Sequence, residues 1–231
     1  MKPQGSKERH RVILLHGLGR SAKSMTPLQK SLSEAGYEVY NVGYVSTEHS
    51  IEDLAETVLG TFIRMLEDAD GSKIHFVTHS MGGIMVRQYL KAHRLPILGR
   101  VVMISPPNQG TELVDRFKGI FLFKGYGPAG KQLSSQEDSL PNTLGPVDFE
   151  LGVIAGNRTL NPVYSLMLPG PDDGVIPVER TKVTGMTDFI IMPHTHPFIM
   201  KKADVIDQVL YFLENGEFDH KTPIKGPSRS G

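Results

Sequence analysis

The stretch Lys73–Gly83, KIHFVTHSMGG, decides the fold of this chain, because it predicts a strand, a tight turn and the start of a helix. Lys73–Thr78 (KIHFVT) is a short apolar run of strand length. His79-Ser80-Met81-Gly82-Gly83 follows as the turn, and Ile84–Lys91 then has the apolar spacing of a helix. Ser80 therefore lies at the carboxyl end of a predicted strand, where a parallel sheet presents its ligands.

The same alternation of apolar runs and amphipathic segments extends along the chain in both directions. The predicted strands are Arg11–Leu15, Tyr37–Val45, Lys73–Thr78, Arg100–Ser105, Leu151–Ala155 and Phe189–Met192. The predicted helices are Met25–Ala35, Ile51–Ala69, Ile84–Lys91 and Ala203–Glu214, with a shorter one near Thr111–Lys118. Apolar strands that alternate with amphipathic helices indicate an α/β fold, with a mostly parallel central sheet covered by helices on both faces.

The length of 231 residues favours a single domain, which we expect to span residues 1–219. The pattern breaks between Asn108 and Phe149, where Gly, Pro and Ser are frequent, so residues 108–149 are expected to form a small cap-like insertion above the sheet. The last segment, His220–Gly231 (HKTPIKGPSRSG), is polar and lacks periodicity. We expect it to be a flexible tail.

The composition excludes several classes of function. Lys and Arg total 25 and Asp and Glu also total 25, so no excess positive charge is available for nucleic acid. The absence of Cys excludes thiolate metal sites and cysteine nucleophiles. No apolar run approaches the ~20 residues of a transmembrane helix, and the N-terminus MKPQGSKERH lacks the apolar core of a signal peptide, so a cytoplasmic location is expected.

The turn around Ser80 resembles the nucleophile elbow of the α/β-hydrolases, in which a serine is lifted above the sheet between a strand and a helix. Gly82 and Gly83 supply the small residues that the pattern needs after the serine. Thr78 stands where the family has Gly, which departs from the pattern and crowds the turn. The alternative is that Ser80 is an ordinary helix N-cap, accepting a backbone N–H at the start of the helix.

The loop after the first strand, His16-Gly17-Leu18-Gly19, resembles the oxyanion loop of lipases and esterases. The resemblance implies that the backbone amides of Leu18 and Met81 hold the oxyanion. The sequence from Gly17 to Ala22 also fits the G-x-G-x-x-A dinucleotide fingerprint, with Glu38 about twenty residues on. Glu38 opens the second predicted strand, however, whereas a ribose-binding acid should close it.

The stretch Pro171–Pro177 (PDDGVIP) is similar to the D-G-x-V-P segment that carries the acid of serine lipases. Asp173, directly before Gly174, is the match, and Asp172 is its nearest competitor. An ordinary Asp-Gly turn is the alternative for both residues.

The last predicted strand is followed by His194-Thr195-His196-Pro197, where the family has its histidine base. We prefer His196, which lies a few residues before the apolar start of the final helix, and keep His194 as the alternative. Two histidines at alternate positions are also compatible with metal ligation, but the H-x-H-x-D-H pattern of hydrolytic metal sites is absent because Pro197 and Phe198 follow.

The chain order Ser80, Asp173, His196 is that of the α/β-hydrolase triad, and this identifies the chain as a member of that superfamily resembling its lipases and esterases. The resemblance implies a serine hydrolase of carboxylic esters in which Ser80 attacks, His196 is the base and Asp173 orients it. No cofactor or metal is then needed, and the partner is a small acyl ester.

The acyl-binding wall is the least defined part of the predicted site. His16, Phe117 and Phe121 are the candidate substrate-binding residues, although the Phe117–Phe123 cluster is equally compatible with plain core. Thioester hydrolysis or acyl transfer by the same triad, and a catalytically silent scaffold used for binding, remain alternatives. The oligomeric state is not defined by the sequence.

Overall fold

The computed structural model describes residues 10–67, 72–117, 125–160 and 162–223. Six strands form one sheet: β1 Arg11–Leu15, β2 Glu38–Val42, β3 Ile74–His79, β4 Leu98–Ile104, β5 Leu151–Gly156 and β6 Asp188–Met192. Their order is β2-β1-β3-β4-β5-β6, and every neighbouring pair is parallel. The predicted α/β fold with a parallel central sheet is therefore confirmed.

The helices connect these strands and lie over the sheet. The main ones are α1 Thr26–Glu34, α2 Ile51–Leu54, α3 Gly60–Glu67, α4 Met81–Ala92 and α10 Ala203–Asn215. A π-helical turn, Ala55–Leu59, joins α2 to α3, so the helix predicted from Ile51 is continuous but locally underwound, with i→i+5 hydrogen bonds. Its last predicted residues, 68 and 69, lie outside the described residues.

Short helical segments account for the regions where the sequence has no clear period. These are α5 Glu112–Phe117, α6 Gly127–Lys131, α7 Leu140–Thr143, α8 Pro162–Ser165 and α9 Val178–Thr181, with 3₁₀ turns at Ala22–Met25 and Ile199–Lys201. Most have only four to six residues, which is too short for a helical period to appear in the sequence.

Two apolar cores lie on opposite faces of the sheet. Phe76 points into the core that contains Ile84 of α4, whereas the next residue, Val77, points into the core that contains Val209 of α10. This alternation is the two-residue period of a strand with both faces covered. Each fully buried side chain of this size contributes about 1.5–3 kcal/mol to folding, so both layers stabilise the sheet that carries the site.

The strand order creates a natural site at the carboxyl edge of the sheet. After β1 the chain adds β2 on one side and β3 on the other, so the order reverses between the first two crossovers. In open α/β sheets such a reversal leaves a crevice outside the carboxyl ends of the strands. The loops after β1, β3, β5 and β6 meet at that edge.

The segment predicted as an insertion is anchored to the rest of the chain in its described parts. The Thr111 hydroxyl donates to the Val175 carbonyl at 2.6 Å, and the Gln132 side-chain oxygen accepts from Ile51 N at 2.7 Å. Arg180 forms an ion pair with Glu112 at 2.6 Å. Residues 118–124 are not among those described.

The C-terminal segment is tied to the sheet at its beginning. His220, the first residue of the predicted tail, lies 2.9 Å from an Asp188 carboxylate oxygen, and the Gln208 side chain bonds Asp219. Residues 224–231 lie outside the described residues. Within the part of the chain that is described, none of the helices has the length and hydropathy needed to span a membrane.

Candidate active site

Ser80 occupies a strained turn directly after β3. Its φ of 54° and ψ of −125° are a conformation that residues with a side chain rarely adopt. The turn is compact, since a Cβ on Gly82 would lie only 2.8 Å from the Leu15 carbonyl oxygen. Ser80 stands at the N-cap position of α4, yet its side chain makes no capping hydrogen bond. The N-cap interpretation therefore fails, and Thr78 does not prevent the sharp turn.

The side chain of Ser80 faces His196 instead. The Ser80 Oγ lies 3.1 Å from His196 Nε2, and His196 Nδ1 lies 2.7 Å from Asp173 Oδ2. In the neutral imidazole, Nδ1–H donates to the carboxylate, which leaves the Nε2 lone pair to accept the serine O–H. The three predicted residues thus form one continuous hydrogen-bonded chain.

Both carboxylate oxygens of Asp173 accept hydrogen bonds from fixed donors. Its Oδ1 accepts from Val175 N at 3.0 Å and Ile176 N at 2.7 Å, while Oδ2 receives His196 Nδ1–H. The side chain has no exposed surface. Because both oxygens are satisfied by fixed donors, the buried carboxylate can hold only one orientation.

The two competing residues have other partners. Asp172 Oδ1 accepts from Ser165 Oγ at 2.8 Å and from Gly174 N at 2.7 Å, which makes it a turn-forming residue beside the acid. His194 Nε2 lies 2.8 Å from both carboxylate oxygens of Asp204 at the start of α10. The structure therefore brings Asp173 and His196, and not Asp172 or His194, to Ser80.

The loop after β1 closes over the same serine. A Cβ on Gly17 would lie 2.9 Å from Ser80 Cβ, so only glycine allows the loop to approach the elbow this closely. Among the described residues, the Leu18 N–H has no hydrogen-bond acceptor. Met81 is the first residue of α4, and its N–H has no acceptor within the helix. Two free donors therefore flank the elbow.

Sequence reasoning missed the residues that shape this loop. The N–H of Tyr44 lies 3.4 Å from His16 Nε2, its hydroxyl donates to the His16 carbonyl, and the two rings stack with centroids 4.0 Å apart. Gly19 N donates to Ser46 Oγ at 2.9 Å. Tyr44 and Ser46 follow β2 in a loop without a recognisable motif, so the only signal was that β2 ends beside β1.

His16 does not have the position expected of a substrate-binding residue. Its side chain has no exposed surface, and its Nδ1 is bonded to the Gly17 carbonyl at 2.9 Å. Burial lowers the pKa of the imidazole, which favours a neutral ring with Nδ1–H as donor and Nε2 as acceptor from Tyr44 N. His16 therefore supports the loop from behind and does not contact the cleft.

The predicted acyl-binding residues are only partly described. Phe117 ends α5 and is half-buried, whereas Phe121 lies outside the described residues. The described part of the insertion does contact the oxyanion loop, because a Cβ on Gly130 would lie 3.1 Å from Leu18 Cδ2. Helix α6 is therefore a wall beside the site.

Glu38, the acid of the alternative dinucleotide fingerprint, lies far from this edge. It is the first residue of β2, where it accepts from Tyr40 Oη at 2.5 Å and pairs with Arg11 at 3.4 Å. These contacts are at the amino ends of the strands, so Glu38 cannot reach a ligand bound at the Gly17–Arg20 turn.

Comparison with known proteins agrees with this geometry. A family model described as the alpha/beta hydrolase family matches residues 12–200, which is most of the chain. The chain therefore belongs to the alpha/beta hydrolase family.

The triacylglycerol lipase of Pseudomonas fragi is 25% identical over 119 residues, which are 49% of this chain and 40% of that protein. The chain spans less than half the length of the curated relatives it matches.

Solved structures with the same fold include two lipid hydrolases. The mature lipase BlEst2 of Bacillus licheniformis superposes with a TM-score of 0.71 at 16% identity, covering 92% of this chain and 94% of that one. Phospholipase PlaB of Legionella pneumophila also gives 0.71, at 17% identity, covering 90% of this chain and 59% of that one. At these identities the likeness concerns the fold.

Proposed function

We propose that this protein is a serine hydrolase of carboxylic esters that works through a covalent acyl-enzyme. The single observation that carries the proposal is the unbroken hydrogen-bonded chain from Ser80 Oγ through His196 to the buried Asp173 carboxylate. A hydroxyl bonded to a base that a third group orients is the arrangement of an activated nucleophile. The lipase among the curated relatives supports the same reaction class.

In the first step, Ser80 Oγ attacks the ester carbonyl carbon while its proton passes to His196 Nε2. The imidazolium that forms keeps its Nδ1–H on Asp173, whose negative charge stabilises it. The tetrahedral intermediate collapses when His196 gives the proton to the alkoxide, which leaves as the alcohol. Water then repeats the sequence against the acyl-Ser80 ester, its proton going first to His196 and then back to Ser80 Oγ.

The oxyanion of both tetrahedral intermediates would be bound by the backbone N–H groups of Leu18 and Met81. Their lack of acceptors in the described structure supports this role, since donors that are already free need no rearrangement when charge develops. The Met81 donor also lies at the N-terminus of the twelve-residue helix α4, where the helix dipole favours negative charge.

The same geometry weighs against a silent scaffold but leaves the leaving group open. A binding scaffold does not require the strained φ of 54° at Ser80 or a base 3.1 Å from its hydroxyl. Thioester hydrolysis and acyl transfer use the same residues and differ only in the leaving group or the acceptor.

The test is a panel of p-nitrophenyl esters from two to twelve carbons, with acyl thioesters as the second arm. The wild-type protein is expected to hydrolyse at least one ester, and Ser80→Ala is expected to abolish that turnover. Ser33→Ala, the same substitution at an exposed serine of α1, is the matched control and should retain full activity. Equal activity of the Ser80→Ala and wild-type proteins would contradict the proposal.

A further inference from the structure

His79, the residue directly before Ser80, contacts the loop that carries the candidate base. Its side chain is 1% exposed, and its Nε2 lies 3.1 Å from the backbone carbonyl oxygen of His196. A carbonyl oxygen can only accept, so Nε2 of His79 must carry the proton. The two imidazole rings also pack together, with centroids 4.8 Å apart.

This bond completes a backbone clamp on His196. The N–H of His196 donates to the Asp173 carbonyl at 2.9 Å, and its C=O accepts from His79, so both of its backbone polar groups are fixed. Because His79 and Ser80 are consecutive, the clamp positions the base relative to the nucleophile itself. We propose that His79 is a positioning residue that holds His196 within reach of Ser80 through this hydrogen bond.

The second ring nitrogen of His79, Nδ1, argues against a merely structural role. Its Nδ1 is buried and has no hydrogen-bond partner among the described residues. The atom faces the oxyanion loop, since a Cβ on Gly17 would lie 3.0 Å from it. An unsatisfied buried acceptor costs stability, so an apolar ring would fill this space at lower cost. What an apolar ring cannot supply is the N–H on the opposite side.

The donor is also insensitive to pH. Burial, followed by the nearby His196, lowers the pKa of His79 well below its ordinary value. The ring therefore stays neutral, with its single proton on Nε2, while His196 accepts and returns the proton of Ser80. A clamp that itself became charged beside His196 would oppose formation of the imidazolium.

This inference rests on the proposed function and is tested with two substitutions. His79→Phe keeps an aromatic ring against His196 and removes the donor, whereas His79→Gln restores an N–H at a similar reach. His75→Gln is the matched control, because His75 is a buried histidine on the same strand that bonds Arg100 N, four residues away from the elbow. Each variant is compared with wild type for kcat, KM and the rate of reaction with a fluorophosphonate.

His79→Phe is expected to lower kcat and the labelling rate by about tenfold or more, with KM within twofold, because small displacements of a catalytic group carry losses of this order. Its unfolding midpoint should stay close to that of wild type, because removal of the unsatisfied Nδ1 offsets the cost of leaving the His196 carbonyl without its donor. His79→Gln should recover activity to within about threefold of wild type, and His75→Gln should leave kcat unchanged. Native kcat in His79→Phe, or equal losses in both His79 variants, would overturn the inference.

A second readout separates this inference from the proposed function. The proton between His196 Nδ1 and Asp173 is expected to give a downfield proton resonance, which His79→Phe should broaden by faster exchange with water and His79→Gln should preserve. If wild type hydrolyses no ester and reacts with no fluorophosphonate, the proposed function fails while the resonance still tests the clamp. An unchanged resonance in His79→Phe would count against the clamp alone.

Discussion

Asp173 binds His196 at two points: its Oδ2 lies 2.7 Å from the imidazole Nδ1, and its backbone carbonyl accepts the His196 N–H at 2.9 Å. The acid therefore fixes both the ring and the main chain of the candidate base. A single residue on the loop after β5 thereby fixes the position of a residue on the loop after β6.

Asp173→Asn is expected to lower kcat by about 10⁴-fold, because the amide can donate to Nδ1 and favour the wrong tautomer of His196. Asp172→Asn, the same substitution at the adjacent carboxylate, should stay within about tenfold of wild type, since Asp172 bonds Ser165 and Gly174. Steady-state kinetics on the best ester of the panel measures both. A larger loss at Asp172 would show that Asp172, and not Asp173, orients the base.

The strained backbone at position 80 predicts that a glycine substitution is more stable than an alanine substitution there, the reverse of their usual order in a helix. Ser80→Gly should be more stable to urea than Ser80→Ala by about 1 kcal/mol, because glycine adopts a φ of 54° without strain whereas alanine retains it. Both variants should lack activity. At Ser33 in α1 the ranking should be the ordinary one, with glycine about 1 kcal/mol less stable than alanine. The same ranking at both positions would contradict the strain.

Gly17→Ala should reduce kcat by about 10²-fold, the loss expected when one oxyanion donor is displaced. The added methyl would lie 2.9 Å from Ser80 Cβ, so the loop must move away from the elbow. Gly43→Ala is the control on a neighbouring loop, where the methyl would meet only Ala22 Cβ at 3.7 Å, an ordinary contact. Similar kinetics for the two variants would exclude a close fit at Gly17.

The buried His75 predicts a loss of stability in acid. Burial, with smaller contributions from His10 and Arg100, lowers its pKa to about 4. Since the unfolded chain binds this proton near pH 6.5, protons favour unfolding, and the free energy of unfolding should fall as the pH drops from 6.5 to 4. His75→Gln should reduce this fall by up to about 3 kcal/mol. Urea unfolding at pH 7 and pH 4.5 measures the difference.

His93→Gln is the control for that experiment, because His93 is exposed and pairs with Glu56 at the surface. This exposed substitution should not reproduce the smaller loss of stability in acid expected for His75→Gln. Buried His79 and His16 also have lowered pKa values, so part of the acid sensitivity should persist in His75→Gln. An unchanged pH slope in His75→Gln would show that His75 does not contribute.

Most of the fold could be predicted because each strand is a continuous apolar run and each long helix an amphipathic one. Tyr37–Val45 shows the limit: its apolar residues continue to Val45, yet β2 ends at Val42, because the following residues bond the loop after β1. The π-helical turn at Ala55–Leu59 had no recognisable signal in the sequence, and it shifts the buried face of the helix by one position, so that Ile63 and Leu66 are buried while Met65 is exposed.

The residues of the candidate site were predictable where a motif fixes their local turn, as for Ser80, Asp173 and His196. Contacts between segments distant in the chain were not. The sequence favoured His196 over His194 only by its position before the final helix, and the pairing of His194 with Asp204 at the start of α10 was not predicted. The bond from His79 to His196 spans 117 residues, and no local pattern encodes it.

The most direct test of the central claim is reaction of the purified protein with a fluorophosphonate probe, followed by mass spectrometric mapping of the modified residue. An activated serine beside free oxyanion donors predicts a single adduct on Ser80, absent from Ser80→Ala and reduced in Asp173→Asn. A folded protein that forms no adduct, or forms one at a serine other than Ser80, would contradict the account.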